Sequence, residues 1–419
     1  MFDLLNNPIV ANITKSAIVI FALLTAFAYM TLIERRVIAK IQGRVGPNRA
    51  GPFGLFQPVA DALKMAFKEQ FVPAQAKKVI YLIAPTLSIV VALSAFAVVP
   101  IGNNWNPKAP SIWDPLIADV NIGLLWILAI SSLAVYGIVL GGWASGNRYS
   151  LLGSLRSAAQ MVSYETSLGL VLSGTLMWAG TLSMVGIIHQ QVSMGIWFVL
   201  AQPLGFLIYL IAGVAEVNRA PFDLPEAEQE LTAGYLTEYS GLRWSLYQMA
   251  EYINMTTVSS VAATLFFGGW SFFGLTDNIP GVSIIIYLVK VAIFLFFFIW
   301  LRATLPRIRY DHLMRLGWQV LLPLAILNVV ITATCVALNW PWWVSGLAGL
   351  AVIVVLFIAI RRKSFAEGTR FEKKRGKGYI MLPSSVRLVK LEKAAQQVEE
   401  TLNGTRSNEQ ERNMSTVGA

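Results

Sequence analysis

Long apolar runs alternate with short polar segments along the whole chain. Nine of the runs reach the length of about 20 helical residues that a bilayer crossing requires. The polar connections at 189–191 and 339–341 are short enough to be tight turns between antiparallel helices. The pattern therefore predicts an all-α polytopic membrane protein with about nine transmembrane helices. The predicted spans are residues 15–33, 79–101, 120–142, 158–188, 192–215, 249–275, 283–303, 318–339 and 341–361.

The positions of Lys and Arg predict how these spans are oriented. Of the 33 basic residues, 30 fall in segments that nine spans would place on one side of the membrane. Loops rich in Lys and Arg stay in the cytoplasm, so we expect a periplasmic N-terminus and a cytoplasmic C-terminus. The predicted organisation is a membrane domain, residues 1–362, followed by a basic hydrophilic tail, residues 363–419. The cytoplasmic loops of the membrane domain are residues 34–78, 143–157, 216–248 and 302–317.

Composition agrees with a membrane protein, since 56% of the residues are hydrophobic and only 13% are charged. The single cysteine, Cys335, leaves no disulfide framework and too few thiols for an iron-sulfur cluster, which takes about four ligands. The two histidines, His189 and His312, are far apart and form no metal-binding pattern. The net charge of +10 comes from loops and tail, and it does not indicate a nucleic-acid partner. No cleavable signal peptide, dinucleotide fingerprint or phosphate-binding loop is visible.

The cytoplasmic segment 216–241 has the opposite charge from the one that topology favours. It contains a single basic residue, Arg219, against six carboxylates. Anions are favoured in the first turn of a helix, which gives one or two of these carboxylates a structural explanation. That explanation does not cover six charges at a membrane edge, where desolvation is costly. We therefore expect this segment to carry chemistry through Glu216, Asp223, Glu226, Glu228, Glu230 and Glu238.

Three more charged residues are predicted in or next to spans. Glu165 lies about two turns into the fourth span, Glu251 opens the sixth, and Lys290 lies inside the seventh. A charge there costs about 2.5–3.5 kcal/mol by insertion scales, so each should face protein or water. Glu165 either takes and releases protons or is held in an ion pair, for which Lys290 is the candidate partner. Lys290 has the same two interpretations, as a proton carrier or as a structural partner.

Two basic cytoplasmic loops complete the charge pattern. The loop at 34–78 begins with Glu34, Arg35 and Arg36 and continues through closely spaced glycines and prolines, which favour irregular backbone. Apolar residues at helical spacing in 58–67 predict a short amphipathic helix at the membrane interface. The loop at 302–317 combines basic residues with one carboxylate: Arg302, Arg307, Arg309 and Asp311. Both loops could serve only as topology signals, although the glycine and proline density exceeds what topology requires.

Five stretches occur in order along the chain: ERR, GPNRAGPFGLFQPVADALK, SLRSAAQMVSYE, EVNRAPFDLPEAEQELTAGYLTEYSG and RATLPRIRYDHLM. They resemble the H-subunit family of respiratory complex I, the proton-pumping NADH:quinone oxidoreductase, over nearly all of residues 15–362. The resemblance implies a membrane subunit that anchors the hydrophilic arm, helps form the quinone cavity and couples quinone reduction to proton translocation. It also implies that the chain holds no redox centre, and that iron-sulfur clusters and FMN belong to partner subunits of the peripheral and membrane arms. The implied location is the cell inner membrane.

The resemblance also implies roles for individual residues. Residues near the quinone cavity and its entrance would be Glu34, Arg35, Arg36, Phe222, Asp223, Arg302, Arg307, Arg309 and Asp311. Residues that couple quinone chemistry to proton movement would be Glu165, Glu216, Glu226, Glu228, Glu230 and Glu251. Glu238 and Lys290 join this second set because of their positions in the acidic segment and in a span.

Two other classes of protein remain open at this point. A related energy-converting hydrogenase has a similar membrane subunit that works without quinone, and a stand-alone ion-coupled transporter could use buried Glu165 and Lys290. The APFDLPEAEQEL and GPNRAGPFG stretches favour the quinone enzyme. No repeat relates the two halves of the chain, whereas transporters commonly contain one.

Overall fold

The computed structural model describes residues 8–103, 118–223, 234–273 and 281–375, and every regular element in these ranges is helical. One unit of the chain extends to Leu350, and a second begins at Ala351. The helices are α1 (Pro8–Ile41), α2 (Gln57–Phe67), α3 (Lys78–Phe96), α4 (Gly123–Ala144), α5 (Arg148–Ala179), α6 (Met184–Met194), α7 (Phe198–Ala201), α8 (Pro203–Glu216), α9 (Leu242–Phe267), α10 (Val282–Thr304), α11 (Tyr310–Arg315), α12 (Leu322–Ala337) and α13 (Trp342–Arg375). A π-helical turn, Leu316–Leu321, joins α11 to α12.

The polytopic all-α class is confirmed. Within the described ranges, six helical stretches are long and apolar enough to cross a membrane, or seven if the bent pair α5 and α6 counts as one span. Each of the nine apolar runs overlaps one helix or a group of neighbouring helices. Two of the runs fall short of a full span, because α8 is short and α9 carries many polar side chains. The count of nine spans and their orientation stay predictions.

The fourth predicted span, residues 158–188, is two helices and not one. Helix α5 ends at Ala179 and is capped by Gly180, whose positive φ of 66° is a left-handed conformation that glycine adopts readily. Ser183 then caps α6 by accepting a hydrogen bond from the Gly186 amide at 3.2 Å, and the two helices meet at 55°. The predicted turn at 189–191 is therefore wrong, since these residues lie inside α6.

Two helices also begin or end further out than the apolar pattern indicates. Helix α1 continues to Ile41, so Glu34 lies on a helix and the irregular loop starts only near Gly43. Helix α5 begins at Arg148, after Asn147 accepts a hydrogen bond from the Tyr149 amide at 2.9 Å. An apolar run indicates the part of a helix that can lie in the membrane. It does not indicate where the helix ends, because polar residues can continue the helix beyond the apolar run. The amphipathic helix predicted near 58–67 is confirmed as α2.

Close packing of α4 against its neighbours sets the frame of the site. A Cβ atom on Gly137 would lie 2.1 Å from Ser88 Oγ of α3, and one on Gly141 would lie 2.2 Å from Tyr247 Oη of α9. Small residues allow helix backbones to approach in a membrane, where burial of apolar surface contributes little to association. The two glycines therefore bring α3, α4 and α9 together around a shared interior.

Candidate functional site

Glu34 is the centre of a charge cluster assembled from distant parts of the chain. Its side chain, 4% exposed, lies near the C-terminal end of α1. Arg302 of α10 donates a hydrogen bond to Glu34 Oε1, and Arg219, from the turn after α8, lies 3.4 Å from the same oxygen. The Tyr252 hydroxyl of α9 donates to Oε2 at 2.7 Å. We call these four residues the Glu34 cluster.

Arg219 is the most deeply buried cation of the Glu34 cluster, with 5% of its surface exposed. Its guanidinium carbon lies 3.9 Å from the centre of the Tyr252 ring, a cation–π contact. Burial alone would lower the pKa of Arg219, but Tyr252, Glu34 and Glu251 raise it above the ordinary value. Within the described residues its Nε and Nη2 atoms are buried without an acceptor. The cluster therefore holds a permanent positive charge with donors to spare.

Arg35 and Arg36 follow Glu34 in sequence but have different partners. Arg35 forms an ion pair with Asp61 of α2 at 2.7 Å, with both side chains partly exposed. Arg36 Nε lies 3.4 Å from the carbonyl oxygen of Pro47. These contacts tie α2 and the glycine- and proline-rich loop to the end of α1. The structure thus brings Glu34 and Arg302 together, whereas Arg35 and Arg36 contact α2 and the neighbouring loop.

A second cluster consists of carboxylates inside the helix bundle. The Ser132 hydroxyl of α4 donates a hydrogen bond to Glu165 of α5, and Glu165 is close enough to Glu216 of α8 for their charges to interact. Glu216 lines a cavity of about 50 Å³, which has room for about three to five water molecules at about 10–15 Å³ each. The other polar side chains in its wall are those of Ser131, Tyr209, Asn254 and Thr257. We call it the carboxylate cavity.

Helix α9 links the Glu34 cluster to this cavity. Tyr252 binds Glu34, while Asn254 and Thr257 of the same helix line the cavity. Thr257 lies five positions after Tyr252 on α9, which corresponds to a rise of about 7.5 Å along the helix. Glu251 is buried on α9 and interacts electrostatically with Arg219. Charged and polar groups therefore extend from the Glu34 cluster into the bundle along one helix.

Phe222 and Asp223 lie at the start of the acidic segment, in the turn that follows α8. Gln160 of α5 donates through Nε2 to the carbonyl oxygens of Ala215 and Phe222, both at 2.8 Å. The Phe222 ring is buried, 5.8 Å from the ring centre of Tyr164. Asp223 is partly buried and is the last described residue before 234. Gln160 thus fixes the backbone on both sides of the turn between Ala215 and Phe222.

The predicted basic loop near 302–317 contacts the same turn. The Ile308 amide donates to the Pro221 carbonyl at 3.0 Å. Arg307 is exposed, and Arg309 Nε lies 3.5 Å from Asp311 Oδ2 in a pair that is also largely exposed. These three charged residues therefore lie on the surface beside the turn, apart from the Glu34 cluster.

The remaining predicted residues lie elsewhere. The Glu238 carboxylate accepts a hydrogen bond from Asn147 at 2.7 Å, next to the start of α5. Lys290 donates to backbone carbonyls at the end of α9, so it is not the ion-pair partner of Glu165 that the sequence left open. Three carboxylates of the acidic segment lie outside the described residues: Glu226, Glu228 and Glu230.

Sequence reasoning missed several contributors to these clusters. Arg219 had one signal, as the single basic residue among six carboxylates, but nothing indicated its contact with Glu34. Tyr252, Ser132 and Gln160 had no signal, because each resembles an ordinary interior residue until its partner is known. Within the described residues, no group of three His, Cys, Asp or Glu side chains is placed to hold a metal ion.

The fold and the two clusters define a class, a polytopic helical membrane protein with a buried carboxylate cavity joined to a charged cluster at one end. A family model described as NADH dehydrogenase matches residues 14–333. The chain belongs to this family.

Similar proteins carry closely related names. The chain is 49% identical over 370 residues to the H subunit of NADH-quinone oxidoreductase from Deinococcus deserti, a match that covers 86% of this chain and 94% of that protein. It is 50% identical to NADH-quinone oxidoreductase subunit 8 from Thermus thermophilus, over 82% of this chain and 92% of that protein. It is 54% identical to the H subunit from Thermomicrobium roseum, over 74% of this chain and 91% of that protein.

Proposed function

We propose that this chain is the H-type membrane subunit of an NADH-quinone oxidoreductase, a multi-pass protein of the cell inner membrane. Family membership supports the assignment, as does the name shared by relatives that align over more than nine-tenths of their length. Both favour the quinone enzyme over a membrane protein of a hydrogenase and over a stand-alone transporter. Its partners are then the subunits of the peripheral and membrane arms, in which the iron-sulfur clusters and FMN reside.

In this proposal the Glu34 cluster borders the quinone cavity. The Nε and Nη2 donors of Arg219, which have no acceptor among the described residues, suit an acceptor oxygen such as a quinone carbonyl. Phe222 and Asp223 would line the approach to it, and Arg35 and Arg36 would lie near the entrance. The surface residues beside the turn would contact peripheral subunits: Arg307, Arg309 and Asp311.

The observation that carries the proposal is the continuity along α9 between the Glu34 cluster and the carboxylate cavity. Quinone reduction takes up protons and changes the charge next to Arg219. Interacting carboxylates titrate as a set, so a change of charge at one site shifts the proton occupancy of its neighbours. Glu251, Glu165 and Glu216 would pass this change into the bundle. We include the other predicted carboxylates in the same route as hypotheses: Glu226, Glu228, Glu230 and Glu238. Lys290 would lie outside this route, because its ammonium group binds backbone carbonyls at the end of α9.

Neutral isosteric variants test this coupling. Glu165→Gln and Glu216→Gln keep the side-chain shape but replace the ionisable carboxyl group with an amide that does not titrate. We expect NADH-driven quinone reduction and proton pumping in inverted membrane vesicles to fall together, at least several-fold. Glu69→Gln is the matched control, because Glu69 is exposed and outside both clusters. Unchanged rates and an unchanged ratio of protons to electrons in the two bundle variants would remove these carboxylates from the mechanism.

A photoreactive quinone analogue tests the cavity. We expect the analogue to label peptides 34–44 and 216–223 in the intact complex. Excess quinone should prevent that labelling. Labelling confined to other subunits would contradict a role for the Glu34 cluster at the cavity wall.

A further inference from the structure

Helix α9 ends inside the bundle with a tightly folded turn. The helix stops at Phe267, and Gly268 and Gly269 follow with positive φ values of 73° and 53°. The last carbonyl groups of a helix have no amide partner within it. In apolar surroundings each such carbonyl needs another donor, because no bulk water is available.

Lys290 of α10 supplies that donor to three carbonyls at once. Its Nζ atom lies 2.6 Å from the carbonyl oxygen of Phe267, 2.8 Å from that of Gly269 and 2.7 Å from that of Ser271. A protonated lysine has three N–H donors and no acceptor, so the number of donors equals the number of these carbonyls. The negative end of the α9 dipole favours a cation at the same place.

An aromatic side chain also lies next to the ammonium group. Nζ lies 5.2 Å from the centre of the Trp197 ring, within cation–π range. Trp197 itself stacks on Phe273 with ring centres 4.3 Å apart. Lys290 lies eight residues after the start of α10, a rise of about 12 Å along that helix. Lys290 therefore lies more than two turns from the N-terminal end of α10. Its ammonium group contacts carbonyl oxygens and the face of the Trp197 ring.

We propose that the turn 267–271 is a binding cup for a primary ammonium group, which Lys290 supplies from α10. The arrangement closes the end of α9 and fixes it to α10. A fixed cap of this kind must keep its proton, so this role differs from the proton-carrying role that the sequence suggests for Lys290. The proposal does not depend on the function proposed above, because its main measurements are structural.

Chemical rescue of a truncated side chain is the sharpest test. In the purified complex, Lys290→Ala should shorten the half-life of heat inactivation several-fold. It should also speed hydrogen exchange in peptides covering 263–273. n-Propylammonium reproduces the missing carbons and the ammonium group, and we expect it to restore at least half of the lost half-life. Tetramethylammonium has the same charge but no N–H donor, and it should restore nothing. Equal effects of the two cations, or no rescue by either, would overturn the cup.

A second pair of variants keeps the test informative if Lys290→Ala does not assemble. Arginine carries N–H donors but does not release its proton in proteins, whereas methionine carries neither donor nor charge. We expect Lys290→Arg to assemble at more than half the wild-type level and to pump the wild-type number of protons per electron. Lys290→Met should assemble several-fold less. A stable Lys290→Arg complex that reduces quinone without pumping would instead identify a proton carrier, and a heat-stable Lys290→Met complex would exclude a cap.

Discussion

Glu34 accepts hydrogen bonds from a tyrosine and an arginine and lies within ion-pair distance of a second arginine, so its loss affects several neighbours. Removing one member of a buried ion pair costs about 3–5 kcal/mol, because the remaining charge stays buried without compensation. Arg219 would be in that position, since it is almost fully buried. Arg302 is 30% exposed in its side chain, so water would screen part of its charge. These contacts thus give Glu34 a structural role in addition to the role proposed for it at the quinone cavity.

Glu34→Gln is expected to lower the amount of assembled complex and the activity that remains after brief heating. Asp61→Asn is a matched control, since it breaks an ion pair with Arg35 in which both side chains are partly exposed. Such pairs contribute about 0–1 kcal/mol, so we expect that variant to assemble normally. Both quantities can be measured in isolated membranes by native electrophoresis and NADH-driven quinone reduction. Similar losses of assembly and activity in the two variants would show that the buried ion pair of Glu34 contributes no more to stability than the partly exposed pair of Asp61.

At the scale of elements, the acidic segment is held at both ends by side chains of the bundle. At its start, Gln160 bridges the carbonyls of Ala215 and Phe222. At its end, the Tyr81 hydroxyl donates to the Glu238 carbonyl at 2.6 Å. The ring of Tyr239 stacks on that of Tyr81, with centres 4.3 Å apart. Two fixed points, on α5 and α3, therefore hold the described ends of the acidic segment.

Gln160→Met tests the first fixed point. Phe222 would lose a hydrogen bond to its carbonyl oxygen, while the Ala215 carbonyl also accepts from the Asn218 amide at 3.2 Å. An unsatisfied buried acceptor costs about 1–3 kcal/mol, so the turn should open more often. We expect faster hydrogen exchange in peptides covering 215–223, with no change in the first turns of α5. Gln190→Met on α6 is the control, and equal acceleration in both variants would argue against a specific anchor.

Two phenylalanine variants test the second fixed point. Tyr81→Phe removes a short hydrogen bond of 2.6 Å. Tyr239→Phe removes two long contacts, of 3.4 Å to the Tyr81 carbonyl and 3.3 Å to the Gly141 carbonyl. Burial raises the pKa of Tyr239, which keeps its hydroxyl a donor at physiological pH. Both variants keep the ring stack. Because shorter hydrogen bonds are stronger, we expect Tyr81→Phe to accelerate hydrogen exchange in residues 234–241 more than Tyr239→Phe does, and the reverse order would contradict this anchor.

At the scale of the whole molecule, the helices could be predicted because the membrane constrains the sequence locally. A bilayer crossing needs a continuous apolar run, and such runs are visible without knowledge of any tertiary contact. The same property hid the break between α5 and α6, where Gly180 and Ser183 end one helix and start another within a single apolar run. The family resemblance implied roles for Glu34 and Arg302, but no pattern in the sequence could pair them.

Tertiary contacts between distant residues explain what the sequence left out. Arg219 and Tyr252 are 185 and 218 residues from Glu34 along the chain. Which arginine and which tyrosine reach that carboxylate depends on how α1, α9 and α10 pack, and no local pattern records it. The carboxylate cavity has the same origin, since Glu216 and Thr257 enter its wall from different helices. Local physics thus determines the helices, whereas packing between helices determines the site.

The orientation of the whole molecule remains a prediction, and single cysteines can test it. Cys335 is buried and can be replaced by Ser to provide a background without reactive thiols. Asn339→Cys would lie in the exposed turn between α12 and α13, and Arg309→Cys would lie in the exposed loop between α10 and α11. The distribution of Lys and Arg places these positions on opposite sides of the membrane.

We expect a membrane-impermeant maleimide to label Asn339→Cys in spheroplasts. It should label Arg309→Cys only in inverted vesicles stripped of peripheral subunits. The reverse pattern would invert the predicted orientation. Labelling of both cysteines from the same side would mean that the helical stretch from Tyr310 to Ala337 does not cross the membrane, although its length and hydropathy allow it to. That outcome would require a new span count, because positions 309 and 339 lie on opposite sides only if the chain crosses the membrane an odd number of times between them.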